Sequence, residues 1–355
     1  MSPIDLGMPI HGLSGVPRIP EDQPALKRKD FVSDQEVRWC PGCGDYSILA
    51  TFQSVLPELG VPRENIVVIS GIGCSSRFPY YVDTYGMHSI HGRAPAIATG
   101  LATAREDLSV WVITGDGDAL SIGGNHLIHT LRRNVNLKIL MFNNRIYGLT
   151  KGQYSPTSPE GLVTKSSPAG ALDAPFNPIA LALGAGGTFV ARTMASDREH
   201  LSGVLRQAAE HRGSAFVEIY QNCPIFNDGA FDTLRDAHQS ESRLLRMVEG
   251  EPLQVGDQGV QTDGRGGLQL AEIVDDNMVL EHEPSSPDSS RAFALANLDD
   301  PAMSCVPVGV FRKVSRVAYD DQVRIQVAHA MGESTAPTDE QIEQMLAGND
   351  PWIVE

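Results

Sequence analysis

Long apolar runs are missing from this chain of 355 residues. No stretch approaches the roughly 20 residues that a membrane-spanning helix needs, so no membrane is expected as a partner. Positive charge is in deficit: 28 lysines and arginines stand against 44 aspartates and glutamates, a formal net charge of −16. That balance argues against nucleic acid and anionic lipid as main partners. The N-terminal residues lack a basic stretch followed by an apolar core, the pattern of a secretory signal. The expectation is a cytoplasmic protein whose thiols stay reduced. Cysteine is scarce, five in all, and in that setting cysteines serve more often as metal ligands or buried apolar residues than as disulfides. No internal repeat is visible. What is present is an apolar content of 41%, ordinary for a globular protein, and a length that suits one large α/β domain with additions or two smaller domains.

Residues 1–30 contain Pro3, Pro9, Pro17, Pro20 and Pro24. They read as an extended arm, either a disordered terminus or a segment laid on a partner chain. From Asp45 to Leu59 the apolar residues Ile48, Leu49, Phe52, Val55, Leu56 and Leu59 mark one face of a helix. Short apolar runs follow, "NIVVIS" (65–70), "SVWVIT" (109–114), "LKILMFNN" (137–144), "TFVAR" (188–192) and "AFVEIY" (215–220), separated by helical patterns at 95–106, 123–134, 177–186 and 197–212. Strands alternating with helices imply a doubly wound, mostly parallel sheet covered on both faces. Ligands of such sheets lie at the carboxyl ends of the strands. After about residue 240 the alternation fades into polar, loop-like stretches, with one strand-like run "PVGVFRKV" and one short helix "DEQIEQMLAG". The expected division is therefore an arm (1–30), an α/β domain (31–240) and a C-terminal extension (241–355) that wraps or docks.

Two strand ends carry oxygen donors. "SVWVIT" runs into "GDGD", with Asp116, and "LKILMFNN" ends on Asn144. One helix separates the two, so both can reach a point above the sheet. A carboxylate and a carboxamide suit Mg²⁺, which keeps phosphate oxygens and water in its octahedron. The neighbouring glycines let backbone N–H groups approach a diphosphate. The pair resembles the thiamine diphosphate signature, which implies that Ile146 adds its carbonyl to the Mg²⁺ ligands.

Cys40 and Cys43 open the first helix, whereas Cys74 and Cys223 each follow a strand. All four can gather on one side of a parallel sheet. Four thiolates suit Zn²⁺ or a [4Fe–4S] cluster, and a Cys-x-x-Cys pair alone also suits a dithiol. The fifth, Cys305, reads as a buried apolar residue.

"WCPGCG", "GIGCSSRFPYY", "HGRA", "GDGD" and "NNRIYGLTKGQYSPTS" occur together and in this order. Over about residues 31–240 the chain resembles the thiamine diphosphate-binding β subunits of the 2-oxoacid:ferredoxin oxidoreductases, most of all those acting on 2-oxoglutarate. The resemblance implies a [4Fe–4S] cluster on Cys40, Cys43, Cys74 and Cys223. It implies oxidative decarboxylation of 2-oxoglutarate with coenzyme A to succinyl-CoA and carbon dioxide, or the reverse, with ferredoxin as electron partner. It also implies a separate α subunit in an (αβ)₂ assembly, because only one strand–helix series is present here. Pyruvate or a range of 2-oxoacids is the alternative substrate class. A decarboxylase subunit with structural zinc, and a non-catalytic electron-transfer subunit, are the alternatives of another kind.

Further residues join the expected cofactor site. Ile72, Gly73, Cys74 and Ser75 form a strand-end loop within reach of the cofactor. His91 either contacts the diphosphate or caps the next helix. Gly117 and Asp118 lie beside a metal ligand, the latter able to hold diphosphate through its backbone, while Gly148 and Leu149 are placed to pack on the thiazolium ring. Lys151 is either solvated or a neutraliser of phosphate charge. Arg77, three residues after Cys74, can point over the thiazolium, where a guanidinium would bind the distal carboxylate of 2-oxoglutarate bidentately.

Overall fold

Runs of Val, Ile, Leu and Phe with no polar face can be satisfied only where both sides of a strand are covered. In the computed structural model, which describes residues 6–236, 240–299, 302–332, 337–349 and 352, they form the centre of one sheet. Its strands are β1 (Ile66–Ser70), β2 (Tyr85–His88), β3 (Ser109–Gly115), β4 (Lys138–Asn143), β5 (Phe189–Met194), β6 (Ala215–Tyr220), β7 (Leu244–Met247) and β11 (Val306–Lys313). They lie in the order β2-β1-β3-β4-β6-β5-β11-β7. Strands β1 to β6 pair in parallel, with registers such as Val68 opposite Trp111 and Met141 opposite Glu218, and β11 runs antiparallel to β5. The protein is an α/β fold with a mostly parallel sheet.

Helices cover both faces, as parallel crossovers require. Helices α1 (Asp45–Val55) and α6 (Arg198–Glu210) pack together on one face. Helices α2 (Ala94–Ala104), α4 (Gly124–Arg133) and α5 (Pro178–Gly184) take the other. A short helix, α3 (Asp116–Leu120), follows β3 directly. Under the first face, Trp39, Phe78, Phe52, Trp111 and Phe142 form a chain of ring contacts 5.1 to 6.3 Å apart. Such pairs add about 0.5–1.5 kcal/mol each beyond burial. Trp39 donates from its indole to the Cys74 carbonyl at 2.7 Å, so this chain of rings also fixes two cysteine-bearing loops to the core.

The structure adds detail to two segments. The arm, in its described residues 6–30, is laid in part along its own chain. Leu13 and Val16 are buried, Asn136 donates to the Gly12 carbonyl at 2.9 Å, and Arg212 donates to the Ser14 carbonyl at 3.1 Å. A Cβ at Gly12 would strike the carbonyls of Ala209 and His211, so only glycine lets the arm approach that closely. Residues 1–5 lie outside the described residues. The segment after residue 240, read as a wrapping extension, adds β7 and β11 to the main sheet and builds a second, three-stranded sheet from β8 (Gln254–Val255), β9 (Gln258–Thr262) and β10 (Leu268–Glu272). Among the described residues, no helix is long and apolar enough to cross a membrane.

The sheet and its later addition are joined by a buried ion network. Arg192 on β5 donates from Nε to Glu218 on β6 at 2.7 Å, and its Nη1 lies 3.0 Å from Asp299. Removing one partner of such a group strands a desolvated charge, at about 3–5 kcal/mol. Arg192→Met should therefore lower unfolding stability by about 3–5 kcal/mol in a denaturant titration. A loss below about 1 kcal/mol would show that the network carries no such burden.

Candidate functional site

Parallel strands that end together leave their carboxyl ends, and the loops after them, on one edge of the sheet. Here that edge is organised by Asp118. Its carboxylate is almost fully buried. Oδ1 accepts from the Ile72 amide (3.1 Å), the Gly92 amide (2.7 Å) and His91 Nδ1 (2.6 Å), while Oδ2 accepts from Thr114 (2.7 Å). The loops after β1 and before α2 are thus bolted to the end of β3. The Asp118 side chain serves the protein's own loops, and His91 leans on it instead of capping α2, whose first turn carries no side-chain cap. A Cβ at Gly71 would collide with this carboxylate.

Asp116, the first residue of α3, is buried as well. Its Oδ2 accepts from Ser155 (2.5 Å) and Thr157 (2.6 Å). Burial pushes its pKa up to about 6, and the two hydroxyls oppose that rise. Asn144 is buried beyond β4; its Oδ1 accepts from the Ile146 amide (3.1 Å) and its carbonyl accepts from Asn227 (2.9 Å). Asn143 accepts from Thr157 at 2.9 Å. Tyr147 donates to the Gly117 carbonyl at 2.9 Å, and a Cβ at Gly117 would run into its ring. Asp116, Asn144 and Ile146 are therefore held beside Ser155 and Thr157: both hydroxyls bond Asp116, Thr157 also bonds Asn143, and Asn144 bonds Ile146. The sequence pointed to the first three; "YSPTS" contains the other two, but a hydroxyl gives no sign of its partner until the loop is folded back.

The cysteines stand on the other side of the same loop. A Cβ placed on Gly148 would lie 3.6 Å from both Cys74 Sγ and Cys223 Sγ, so these sulfurs are separated by no more than twice that distance. The Cys43 amide donates to the Cys40 carbonyl at 3.0 Å, in the tight turn that Cys-Pro-Gly-Cys makes at the mouth of α1. Cys40 is exposed and Cys43, Cys74 and Cys223 are half-buried. Burial, then Asp45, Cys223 and Cys40, push the Cys74 thiol up to about 11. Burial pushes Cys43 above the thiol range, with Asp45, Cys223 and Cys74 adding to it. Asp45 is fully buried, neither of its oxygens has a partner of hydrogen-bond geometry among the described residues, and burial lifts its pKa to about 7. The Cys43 thiol is near enough to lower that value slightly. Among the described residues no three His, Cys, Asp or Glu side chains stand close enough to hold a metal ion between them. Cys305 is buried in the hydrophobic core behind the sheet, away from this group.

Arg77, Ile72, Gly73 and Leu149 line one open cleft of about 570 Å³, together with Arg38 and His88. Arg77 is half-buried, meets only the Arg38 carbonyl at a long 3.5 Å, and reaches no carboxylate among the described residues. Ile72 and Leu149 are exposed into this cleft, and Gly73, at φ +133°, has open space where a Cβ would be. Ser75 is buried at the start of the turn that carries Arg77. Lys151 is exposed at the far end of the Tyr147–Gln153 turn.

Residues 71–219 match the thiamine pyrophosphate enzyme family's C-terminal TPP binding domain. The chain is 59% identical over 347 residues to "2-oxoglutarate oxidoreductase subunit KorB" of Mycobacterium tuberculosis, covering 96% of this chain and 91% of that one. It is 46% identical over 188 residues to "2-oxoglutarate synthase subunit KorB" of Methanothermobacter marburgensis, covering 53% of this chain and 66% of that one. Among solved structures, a 2-oxoglutarate:ferredoxin oxidoreductase from Magnetococcus marinus, with 2-oxoglutarate, coenzyme A and succinyl-CoA bound, superposes with a TM-score of 0.74 at 34% identity, covering 94% of this chain and 99% of that one.

The edge's dependence on Asp118 is open to test. Gly71→Ala should displace that carboxylate, cost about 1–3 kcal/mol of stability, and speed hydrogen exchange at the Ile72 and Gly92 amides more than at the centre of β1. Unchanged exchange at both amides would show that the loops are held some other way.

Proposed function

This chain belongs to the β subunits of the 2-oxoacid:ferredoxin oxidoreductases, and on that premise we propose that it binds thiamine diphosphate, Mg²⁺ and a [4Fe–4S] cluster and acts on 2-oxoglutarate. The reaction converts 2-oxoglutarate and coenzyme A to succinyl-CoA, carbon dioxide, a proton and two electrons, or runs in reverse. The cofactor supplies a carbanion nucleophile for the keto carbon, and the cluster, when bound, accepts one electron at a time. The observation that carries the proposal is the shared loop: Asn144 to Gly148 has oxygen donors at one end and faces two thiols at the other.

The residues fit both groups. Asp116 is a buried carboxylate with only neutral hydroxyls as side-chain partners, and such a charge calls for a cation. Mg²⁺ would take Asp116, Asn144 and the Ile146 carbonyl, with diphosphate and water completing its shell. Ser155 and Thr157 hold Oδ2 of Asp116, which fixes the direction of Oδ1. The thiols of Cys40, Cys43, Cys74 and Cys223 would hold the cluster. A single zinc would instead draw four sulfurs to about 2.3 Å from one point.

The remaining parts orient substrate and partner. Arg77 faces the cleft without an acidic partner, so it is available to a distal carboxylate. Leu149 and Ile72 supply apolar walls for the cofactor ring. His91, Gly117 and Asp118 line the diphosphate end, with Asp118 acting through the two loops it ties. Around this mouth Tyr80, Tyr85, Met87, Ile90 and Ile122 are exposed, and β2 is an open sheet edge. Exposed apolar groups beside an unpaired strand suit a protein partner. That partner is a separate α subunit in an (αβ)₂ assembly, which supplies the acid that activates the cofactor. Ferredoxin takes the electrons.

Two substitutions test these roles. Asp116→Ala should weaken binding of Mg²⁺–thiamine diphosphate at least about a hundredfold in calorimetry while leaving iron content in place; unchanged affinity would remove Asp116 from the metal site. Arg77→Met should cut kcat/KM for 2-oxoglutarate at least about tenfold and affect pyruvate much less. Equal losses on both acids would make Arg77 a residue of the fold or the cluster.

A further inference from the structure

A pocket of about 310 Å³ lies behind the candidate magnesium loop, between the ends of β4, β6 and β5, the segment 157–178, and Asp299 from the C-terminal part of the chain. Most polar groups around it are already engaged. Glu218 accepts from Asn143 and from Arg192 Nε, both at 2.7 Å. Asn177 donates to the Ala296 carbonyl and accepts from the Ala180 amide. Tyr220 donates to Oδ2 of Asp299 at 3.0 Å; what is left is the Arg145 guanidinium, the exposed rim carboxylate of Glu160 and one oxygen of Asp299. The Arg145 guanidinium lies over the rings of Tyr220 and Phe231, 5.6 and 5.0 Å from their centres, and reaches no carboxylate among the described residues. Oδ1 of Asp299 is buried without a hydrogen-bond partner among the described residues, and the buried Arg192 Nη1 beside its Oδ2 lacks hydrogen-bond alignment. The apolar part of the wall is Phe176, the Tyr220 ring and three prolines.

We propose that this pocket is a binding site for a small zwitterion with an apolar side chain, of the class of the α-amino acids. The charge pattern selects the class. A carboxylate pairs with Arg145 and an ammonium with Asp299, and the apolar remainder packs on Phe176 and the prolines. An anion alone would meet Asp299 and Glu218 with nothing to offer them, and a cation alone would meet two guanidiniums. The site is built to report on its occupant. Arg145 stands between Asn144 and Ile146, and Thr157, on the pocket wall, also bonds Asp116. Filling the pocket therefore acts on all three proposed magnesium ligands. That coupling rests on the function proposed above, whereas binding does not.

The test is calorimetry on the αβ complex with L-leucine, L-methionine and L-phenylalanine as probes, and with isovalerate and isoamylamine as single-charge controls. One amino acid should bind saturably per β chain, and neither control should compete. Phe176→Trp, which fills the pocket, and Asp299→Asn, which removes the anion, should each weaken binding at least about tenfold. Binding should persist in the Asp116→Ala complex, so a failure of the magnesium assignment leaves the site standing. Absence of saturable binding to the wild-type complex, equal binding of the controls, or binding unchanged in both pocket variants would overturn the proposal.

Discussion

The working edge of this protein depends on carboxylates placed where water cannot reach them. Asp118 is the one fully satisfied from within: two amides, an imidazole and a hydroxyl converge on it, and the loops after β1 and before α2 take their positions from that convergence. Asp116 and Asp45 are buried to the same degree and have far less. One receives two hydroxyls, the other no partner of hydrogen-bond geometry among the described residues. Burial raises the pKa of both. The same edge thus combines a carboxylate that sets geometry with two that await positive charge, and the thiols add a second demand of the same sign.

Those demands meet across a few residues. The turn that begins at Asn144 passes the oxygen donors, crosses Gly148 and arrives between Cys74 and Cys223. A side chain at 148 would lie against both sulfurs. Under the proposed function, electron transfer needs closeness and metal sites need fixed donors, and a short turn pinned by Tyr147, Gln153 and Asn227 would serve both. The aromatic chain from Trp39 to Phe142 holds the cysteine loops from beneath. The C-terminal strands β7 and β11 extend the sheet on its far side, and through Asp299 they reach the buried arginine at the ends of β5 and β6.

The central strands were legible in the sequence because burial on both faces leaves no choice of residue: "AFVEIY" is a strand over its whole length. Strand β2 was not, since Tyr-Gly-Met-His lies exposed at the sheet edge and carries no apolar pattern. Of the strands after residue 240, β11 was legible as "PVGVFRKV", while the others were hidden, being short and set among glycines and charges. The positions of Asp116, Asn144, Cys74 and Cys223 could be placed from strand ends, and those of Cys40 and Cys43 from the helix they open. Their support could not. The work of Asp118 depends on amides of residues 72 and 92, and that of Ser155 and Thr157 on a loop that doubles back, and neither leaves a periodic trace. In the arm, proline spacing reveals extension but not what the extended chain lies against; Gly12, Leu13 and Val16 show that by contact.

The central claim is that four thiols beside the magnesium loop hold one [4Fe–4S] cluster. Native mass spectrometry of the β chain, released intact from the anaerobically purified complex, tests it most directly. The account requires a mass above the polypeptide equal to four irons and four sulfides, lost when Cys223 is replaced by serine. A β chain carrying a single zinc, or no metal at all, would contradict it.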